Sequence, residues 1–281
     1  MYYICVRIWD KIKIFKGNME QQKVKIMGII NITEDSFFSG SRVSTIGEIK
    51  SRISQMVTEG ADILDFGACS TRPGSTPIPQ EEEWQRIALA LEGYAQYLDE
   101  GGTPAQISID TFRSDIVRRT YQKTGPFIVN DISAGEDDIQ MLKTVGELGL
   151  EYIAMHKRGT PATMQQHCDY DDLVGDIIGY FKGFGIRAEE AGIRDWVLDP
   201  GFGFSKTIEQ NYQLLEELDK FKVLGREILV GISRKSFIYK KLGITPEEAL
   251  PATTELHRLA IARGADILRV HDVAAAKALI L

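Results

Sequence analysis

Residues 106–132 read QISIDTFRSDIVRRTYQKTGPFIVNDI, and the type of fold can be inferred from this stretch. Residues 106–110 and 127–132 are short runs rich in β-branched side chains, which predicts two strands. Between them, residues 114–123 have the apolar spacing of an amphipathic helix. A strand, a helix and a second strand in this order indicate a parallel pair within an α/β protein.

The same alternation of strand and helix runs through the rest of the chain. Most of the predicted strands are apolar nearly throughout, as expected for parallel strands that are covered on both faces. Several predicted helices end at a glycine that can adopt the left-handed conformation of a helix terminus, namely Gly60, Gly149, Gly192 and Gly264. The predicted strands are residues 25–32, 61–68, 106–110, 127–132, 151–156, 196–199, 228–232 and 267–270. The predicted helices are residues 81–98, 114–123, 139–148, 172–190, 208–221, 247–263 and 274–280.

The number of strand–helix units predicts the architecture. About eight units in a chain of 281 residues favour a closed (β/α)₈ barrel, or TIM barrel, that spans residues 23–281 as one domain. The alternative is an open, doubly wound sheet, which needs a glycine-rich loop after the first strand. The loop at 31–36 reads NITEDS and lacks the G-x-G-x-x-G spacing, so the barrel is favoured. Residues 1–22 are expected to be an N-terminal extension. Residues 1–18 are expected to be dispensable for folding and activity, or to be an artefact of the assigned translation start.

The composition narrows the classes of function. A net charge of −7 and a pI of about 5.3 argue against sequence-independent nucleic-acid binding, which needs a basic face. An anionic small molecule can still bind, because a few Arg and Lys residues can reverse the field inside one cleft. No apolar run approaches membrane-spanning length, and the cysteines lack C-x-x-C spacing. We therefore expect a cytoplasmic protein with reduced thiols that acts on small molecules.

Polar residues end nearly every predicted strand. In a barrel, the carboxyl ends of all the strands meet at one rim, where the active sites of such enzymes lie. A single Asp or Asn after a strand is more often a turn former or a helix cap, and Asp35, Asp131 and Asp272 fit that simpler interpretation. The convergence of all the strand ends is better explained by a shared polar ligand. The residues at these ends are Asn31, Arg72, Asp110, Asn130, His156, Asp199, Lys235, Arg269 and His271.

Four of these residues form one chemical set. The carboxylates of Asp110 and Asp199 can accept paired N–H bonds from a guanidine-like edge. Asn130 and Lys235 suit the remaining nitrogen and oxygen atoms of a flat heterocycle. The alternative interpretation is two structural ion pairs, for example Asp110 or Asp199 with Lys235.

A second set suits an anion. Arg72, Arg269 and His271, with Asn31 nearby, carry the donors that bind a phosphate or diphosphate, and the last strands of such barrels commonly bind these groups. The alternative for Arg269 is a surface salt bridge. The sequence contains neither G-x-S-x-G nor H-E-x-x-H, and the positions of its four histidines give no support to a zinc site.

The residues at the strand ends belong to short sequence motifs that, taken in chain order, resemble those of the dihydropteroate synthase family. The resemblance covers nearly the whole chain from Lys25 onward. Each motif alone is of moderate specificity, and together, in this order, they are highly specific. The matching segments are residues 27–33 (MGIINIT), 35–37 (DSF), 70–74 (STRPG), 109–111 (IDT), 130–132 (NDI), 155–156 (MH), 158–161 (RGTP), 163–165 (TMQ), 199–204 (DPGFGF), 233–236 (SRKS) and 269–272 (RVHD).

The resemblance implies a TIM-barrel enzyme of folate biosynthesis that condenses (7,8-dihydropterin-6-yl)methyl diphosphate with 4-aminobenzoate. It also implies Mg²⁺ bound near Asn31, a homodimer and a target of sulfonamides. The pterin would contact Asp110, Asn130, Ile132, Met155, Asp199, Phe204, Gly231 and Lys235. The diphosphate would contact Asn31, Arg72, Arg269 and His271. The aminobenzoate would contact Thr71, Pro73, Phe204, Lys235 and Ser236. The catalytic residues would be Asp110, Lys235 and Arg72.

The sequence departs from the family pattern in its first two loops. Glu34 replaces the usual proline, residues 39–41 (SGS) replace an acidic, glycine-rich stretch, and residues 68–69 (AC) stand where Gly-Glu is common.

Two rival functions are a methyltransferase that moves a methyl group from methyltetrahydrofolate to a corrinoid protein, and a catalytically silent pterin-binding paralogue. The first should need neither STRPG at 70–74 nor SRKS at 233–236, and the second is favoured only by the altered first loop.

Overall fold

The computed structural model describes residues 24–32, 45–69, 77–160 and 162–280. Within them, strands alternate with helices along the chain. The strands are β1 (Lys25–Asn31), β2 (Ile63–Gly67), β3 (Gln106–Asp110), β4 (Ile128–Asp131), β5 (Glu151–Met155), β6 (Trp196–Asp199), β7 (Leu229–Val230) and β8 (Ile267–Val270). The helices are α1 (Ile46–Thr58), α2 (Gln80–Asp99), α3 (Ser114–Thr124), α4 (Met141–Leu148), α5 (Leu173–Glu190), α6 (Ile208–Glu216), α7 (Ser236–Leu242), α8 (Leu250–Ala262) and α9 (Val273–Lys277). Short 3₁₀ segments span Met164–Gln166, Leu218–Leu224 and Glu247–Ala249.

The strands form a parallel ring in chain order. β1 pairs with both β2 and β8, and β8 also pairs with β7. The ring closes between β6 and β7, where Leu198 forms a bridge with Ile228 and its N–H donates to the Glu227 carbonyl over 3.0 Å. The prediction of a closed (β/α)₈ barrel is therefore confirmed, and the open sheet is ruled out.

Apolar side chains fill the interior of the barrel near the amino ends of its strands. Successive residues of a strand face opposite sides, so the next inward position lies two residues further along. On β2 and β8 these next positions are Asp65 and Arg269, which places a polar layer above the apolar one. The outward faces of the strands pack against the helices in a larger core. The interior apolar residues are Met27, Ile63, Ile128, Ile153, Val197, Leu229 and Ile267.

The helices differ from the predicted ones in two ways. The sequence pattern predicts a helix end at Gly60 but gives no bounds for α1, although Thr45 and Glu48 form a reciprocal capping box at its start. Nor does it predict α7, whose seven residues are too few for a helical period to stand out. The predicted helix at 208–221 is instead α6 followed by a 3₁₀ segment, and the one at 247–263 begins with a 3₁₀ turn.

Glycines allow two features of this packing. Gly28 on β1 faces α1 and α9, since a Cβ there would lie 2.8 Å from Met56 Sδ and 3.2 Å from Val273 Cγ2. The predicted left-handed turns at helix ends are confirmed, with φ between 62° and 97° at Gly60, Gly149, Gly192 and Gly264.

Two general predictions concern the whole chain. In the part of the chain that the structure describes, no helix combines the length and apolar character needed to cross a bilayer. Cys69 and Cys168 are present as thiols. The predicted extension at residues 1–22, with Cys5, lies outside the described residues, as does Asp35.

Candidate active site

A partly buried arginine joins two carboxylates in the interior of the barrel. Arg269 Nε donates to Asp65 Oδ2, and Arg269 Nη2 donates to Asp110 Oδ2, each over 2.7 Å. Asp65 is completely buried and Asp110 nearly so. Although burial lowers the pKa of Arg269, the charges of the two carboxylates raise it above its ordinary value. The interpretation of Arg269 as part of a surface salt bridge is therefore wrong, because its partners lie inside the barrel.

Asp65 is a central residue that sequence reasoning missed. Its Oδ1 accepts a hydrogen bond from Ser108 Oγ over 2.7 Å, and Asn130 Nδ2 lies 3.3 Å from its Oδ2. Asp65 thus holds Arg269 and Asn130 together from β2. A carboxylate within the apolar run ILDFG at 63–67 was the available signal, because such a group can be buried only with partners.

Asp110 ends β3 with its carboxyl group in the same cluster. Burial raises its pKa to about 7, while the positive charge of Arg269 opposes this rise and the negative charge of Asp65 adds to it. The Asp110 carboxyl can therefore gain or lose a proton near neutral pH. Such a perturbed group at a barrel rim marks a candidate functional site.

Asp199 and Lys235 form the neighbouring part of the cluster, from β6 and the loop after β7. Asp199 Oδ1 accepts a hydrogen bond from the Gly201 N–H over 2.8 Å. Burial lowers the pKa of Lys235 to about 8, against the opposing charge of Asp199. Burial also raises the pKa of Asp199, and Lys235 opposes that shift. The two charges therefore influence each other.

In the part of the chain that the structure describes, Lys235 nevertheless forms no direct ion pair with either carboxylate. Its Nζ donates to the Phe202 carbonyl and lies 4.7 Å from the centre of the Phe204 ring. The interpretation of Lys235 as one half of a structural ion pair is therefore wrong. Its ammonium group is held by a carbonyl and an aromatic face, and it stays within the field of Asp199.

Apolar side chains form a separate small cluster at the same end of the barrel. Ile132, Met155 and Phe204 were predicted to line the site, and Met164 and Phe112 complete the cluster without having been predicted. Met164 lies in a loop with no helical or strand period, and Phe112 follows a strand end, so neither position shows an apolar pattern.

Gly231 widens the interior next to these groups. A Cβ at this position would lie 3.9 Å from Asp199 Oδ2 and 4.0 Å from Arg269 Cβ. The glycine thus faces the interior and leaves space between the Asp199 carboxylate and the Arg269 side chain. This location fits its predicted contact with a flat ring.

Of the predicted anion-binding residues, Arg269, His271 and Asn31 lie at or near the ends of β8 and β1. His271 N and Nδ1 each lie 3.1 Å from Ser233 Oγ, which fixes the ring beside the loop after β7. Asn31 and Asp110 flank Gly67, where an added Cβ would lie 3.7 Å from Asn31 Oδ1 and 3.6 Å from Asp110 Oδ2. The Asn31 amide therefore faces the carboxylate cluster.

Asp131 stabilises a turn, as the simpler interpretation held, whereas Asp272 makes no capping bond at the start of α9 and forms an ion pair. Asp131 accepts hydrogen bonds from the Ser133 N–H over 2.7 Å, the Gly135 N–H over 2.9 Å and the Tyr152 hydroxyl over 2.5 Å. Asp272 forms a bidentate pair with Arg234, with distances of 2.7 and 2.8 Å. Neither carboxylate bonds to the cluster around Arg269.

Comparison with known proteins identifies the family. The chain matches the family model "Pterin binding enzyme" over residues 27–271. It is 38% identical over 250 residues to the dihydropteroate synthase of Escherichia coli K12, covering 88% of this chain and 86% of the relative. The chain belongs to the dihydropteroate synthase family. A Synechocystis member is 40% identical over 257 residues, with 90% and 87% of the two chains covered.

Solved structures of the family share the barrel. A Yersinia pestis dihydropteroate synthase in complex with a sulfonamide drug superimposes with a TM-score of 0.86 at 31% identity, covering 94% of this chain and 95% of that one. A Xanthomonas albilineans dihydropteroate synthase with 4-aminobenzoic acid gives a TM-score of 0.82 at 34% identity, with 92% of each chain covered.

Most of the site that the family resemblance implies is found at one rim. Ser236 begins α7 directly after Lys235 and is partly exposed. Arg72, Thr71 and Pro73 lie outside the described residues, so their predicted roles stay predictions. The residues brought to the rim are Asn31, Asp110, Asn130, Ile132, Met155, Asp199, Phe204, Gly231, Lys235, Ser236, Arg269 and His271.

Proposed function

We propose that this chain acts as a dihydropteroate synthase. It joins the methylene carbon of (7,8-dihydropterin-6-yl)methyl diphosphate to the nitrogen of 4-aminobenzoate and releases pyrophosphate. The observation that carries the proposal is the contact of Arg269 with Asp110, because it puts an anion-binding cation beside a carboxylate suited to the ring. A pterin with a diphosphate tail presents both chemistries together.

The ring is bound by the polar layer of the barrel. Asp199 accepts paired N–H bonds from the guanidine-like edge of the pterin, and Asn130 and Lys235 bond to its remaining polar atoms. Ile132 and Met155 cover the flat face of the ring. This assignment is supported by the burial of Asn130, Ile132, Met155 and Asp199 and by the common location of the whole set at one rim.

The reaction breaks a C–O bond and forms a C–N bond at the methylene carbon. Because an arylamine is a weak nucleophile, departure of pyrophosphate runs ahead of the attack, and the amine then loses a proton. Arg269, His271 and Arg72 offset the negative charge that grows on the leaving group. The Asp110 carboxylate stabilises the positive charge that develops on the pterin. Exclusion of water keeps the cation from being trapped.

Magnesium is part of the proposal, and Asn31 suits it. Mg²⁺ prefers oxygen ligands and usually keeps several waters, binding through one or two protein oxygens and the phosphates of a substrate. The Asn31 amide oxygen faces the carboxylate cluster, and the described residues contain no group of three or more Asp, Glu, His or Cys side chains suited to a metal. This donor set fits an ion held mainly by a diphosphate. When bound, Mg²⁺ would offset charge on the leaving group.

The second substrate takes the outer part of the site. Phe204 offers an aromatic face, Lys235 offers a cation, and Ser236 begins the adjacent helix. These groups suit the ring and the carboxylate of 4-aminobenzoate. Thr71 and Pro73 complete this set on the family resemblance alone.

A homodimer and a cytoplasmic location also belong to the proposal, on the family resemblance. The homodimer is tested by sedimentation of the purified chain, which should give twice the mass of the monomer. A monomer at micromolar concentration would contradict this part of the proposal.

The decisive assay is release of pyrophosphate from the pterin diphosphate in the presence and absence of 4-aminobenzoate. A dihydropteroate synthase releases it only when the arylamine is present and forms dihydropteroate in equal amount. A silent paralogue binds pterin without turnover, and a corrinoid methyltransferase releases no pyrophosphate. Either of those results would overturn the proposal.

A further inference from the structure

A buried lysine lies inside the loop that joins β6 to α6, at residues 200–207. Lys206 is 3% exposed, and its Nζ lies 3.2 Å from His156 Nδ1 and 3.0 Å from the carbonyl oxygens of both Gly201 and Phe204. An ammonium group has three N–H donors, and here each has an acceptor. The loop is therefore folded around the end of one side chain.

The acceptors of Lys206 are all neutral groups. Burial lowers the pKa of His156 to about 2, so its ring is uncharged and Nδ1 can accept a hydrogen bond. No carboxylate of the described residues forms an ion pair with Lys206. Burial lowers its pKa to about 7, and the charge of Asp199 only partly opposes this shift. A buried ammonium without a carboxylate is costly. Stability alone therefore explains this lysine poorly.

The backbone of the loop is unusual and needs support. Gly201, Gly203 and Ser205 have φ values of 76°, 79° and 49°. A Cβ at Gly201 would lie 1.9 Å from the His156 carbonyl oxygen, so the loop passes directly against the end of β5. Such a conformation persists only where the surroundings hold it.

Two further side chains help to hold the loop. Ser205 Oγ accepts a hydrogen bond from the Arg158 N–H over 2.7 Å and donates to the Arg158 carbonyl over 2.8 Å. Asn211 Oδ1, from α6, accepts from the Gly203 N–H over 2.6 Å. Asn211 Nδ2 also donates to the Thr207 carbonyl over 2.7 Å at the end of the loop, whereas Lys206 binds the carbonyls of Gly201 and Phe204 in its middle.

Lys235 binds a third carbonyl group of the same loop. Lys206 draws the carbonyls of Gly201 and Phe204 towards itself, while the carbonyl of Phe202 between them accepts from Lys235 Nζ. The Phe204 ring then lies 4.7 Å from the same Nζ. The loop thus presents one carbonyl and one aromatic face to the lysine at the rim.

We propose that Lys206 is a positioning residue for the second substrate. Its buried ammonium group fixes the loop at 200–207 so that Phe202 and Phe204 hold Lys235 where 4-aminobenzoate binds. This inference rests on the proposed function. Lys206 itself touches no substrate and exchanges no bond in the reaction.

Lys206→Met tests the inference, because methionine fills a similar volume without the donors. Steady-state kinetics should show a KM for 4-aminobenzoate raised by ~10-fold or more, which corresponds to about 1.4 kcal/mol. The KM for the pterin diphosphate should rise less, by about threefold at most. Lys235 and Asp199 also bind the pterin, but Asp110 and Asn130 lie on other strands and still hold the ring. This split between the two KM values is the readout that a purely structural lysine would not give.

A matched control is Lys157→Met. Lys157 is also buried, at 6% exposure, and its Nζ contacts Asp137 over 3.0 Å and the Gly159 carbonyl over 3.2 Å. It lies at the end of β5 and does not bond to the loop at 200–207. The control variant should lose thermal stability and keep both KM values near those of the unaltered protein.

A second variant keeps the test decisive if Lys206→Met does not fold. Asn211→Ala releases the Gly203 N–H from the same loop without touching the buried charge, and it should raise the KM for 4-aminobenzoate selectively. If the unaltered protein releases pyrophosphate normally and the folded loop variant keeps this KM within threefold, the inference is overturned. A parallel rise of both KM values, shared with Lys157→Met, overturns it too. Absence of pyrophosphate release by the unaltered protein instead refutes the proposed function.

Discussion

Arg269 donates to Asp110 Oδ2 over 2.7 Å, so the group expected to bind an anion is also bonded to a carboxylate expected to act on the ring. The same guanidinium donates through Nε to Asp65 Oδ2, which also lies 2.6 Å from Nη2. The anion-binding part and the ring-binding part of the site are therefore linked through one cluster of two carboxylates and one cation. A substrate that draws Arg269 towards its diphosphate must also change the surroundings of Asp110.

Asp65→Asn should weaken the site without direct contact to the substrate. The amide keeps the shape of the carboxylate but removes one negative charge from Arg269, and loss of a charged hydrogen bond typically costs about 1.5–3 kcal/mol of stability. We expect a lower free energy of unfolding in urea and a lower kcat/KM for the pterin diphosphate. Ser108→Ala is the matched control, because it removes only the hydroxyl that donates to Asp65. If Ser108→Ala proved as harmful as Asp65→Asn, the charge of Asp65 would not be the cause.

Asp110→Asn should preserve the fold and remove most of the turnover. An amide cannot stabilise a cation as a carboxylate does, and loss of one such preorganised group typically costs ~10²–10³ in rate. The measurement is kcat for pyrophosphate release by purified protein whose circular dichroism is unchanged. Near-normal turnover in the folded variant would remove Asp110 from the mechanism.

The sequence predicted the strands and the common rim well because both follow simple rules. β3, β6 and β8 have the predicted bounds. A parallel strand that is covered on both faces is apolar along most of its length, so the apolar run in the sequence marks where the strand begins and ends. Asp65 was missed because the prediction took polar residues only from strand ends. The contact of a residue on β2 with one on β8 depends on closure of the ring, which no local pattern encodes.

Loops were harder to predict than strands. Met164 joins the apolar cluster from a 3₁₀ segment, and its burial depends on the path of the loop after β5. Lys206 reads in sequence as an exposed charge next to a helix start, and only the folded loop reveals its acceptors. The capping box of Thr45 and Glu48, in contrast, was a visible signal for α1.

The raised pKa of Asp110 makes stability depend on pH in a definite direction. Its pKa is about 7 in the folded protein and about 3.9 in an unfolded chain, so the folded state binds the extra proton between these values. Its contribution to stability is therefore present below pH ~4 and is lost as the pH rises towards about 7. Between pH 5 and 7 the unaltered protein should lose stability relative to Asp110→Asn, by at most ~1.4 kcal/mol per pH unit. The buried histidines cancel in this difference, and a difference that is flat with pH would contradict the raised pKa.

Arg269→Lys should distinguish binding of the diphosphate from binding of the pterin ring. Lysine keeps the positive charge but cannot bridge Asp65, Asp110 and a diphosphate with a planar fork. Binding of the pterin diphosphate, measured by calorimetry, should weaken far more than binding of the free pterin. The lysine avoids leaving two buried carboxylates without a cation, which alanine would do. Equal weakening of both ligands would contradict the role of Arg269 in anion binding.

Lys235 should set the alkaline limit of activity. Its pKa of about 8 means that the ammonium group loses its proton just above neutral pH, and a neutral amine no longer attracts the carboxylate of 4-aminobenzoate. We expect kcat/KM for 4-aminobenzoate to fall above pH ~8, which a pH–rate profile measures in the free enzyme. Lys235→Arg should abolish this fall, since a guanidinium does not titrate in this range, although the longer side chain will lower the absolute rate. If the fall persists at the same pH in Lys235→Arg, it belongs to another group, and Lys235 does not limit the reaction through its proton.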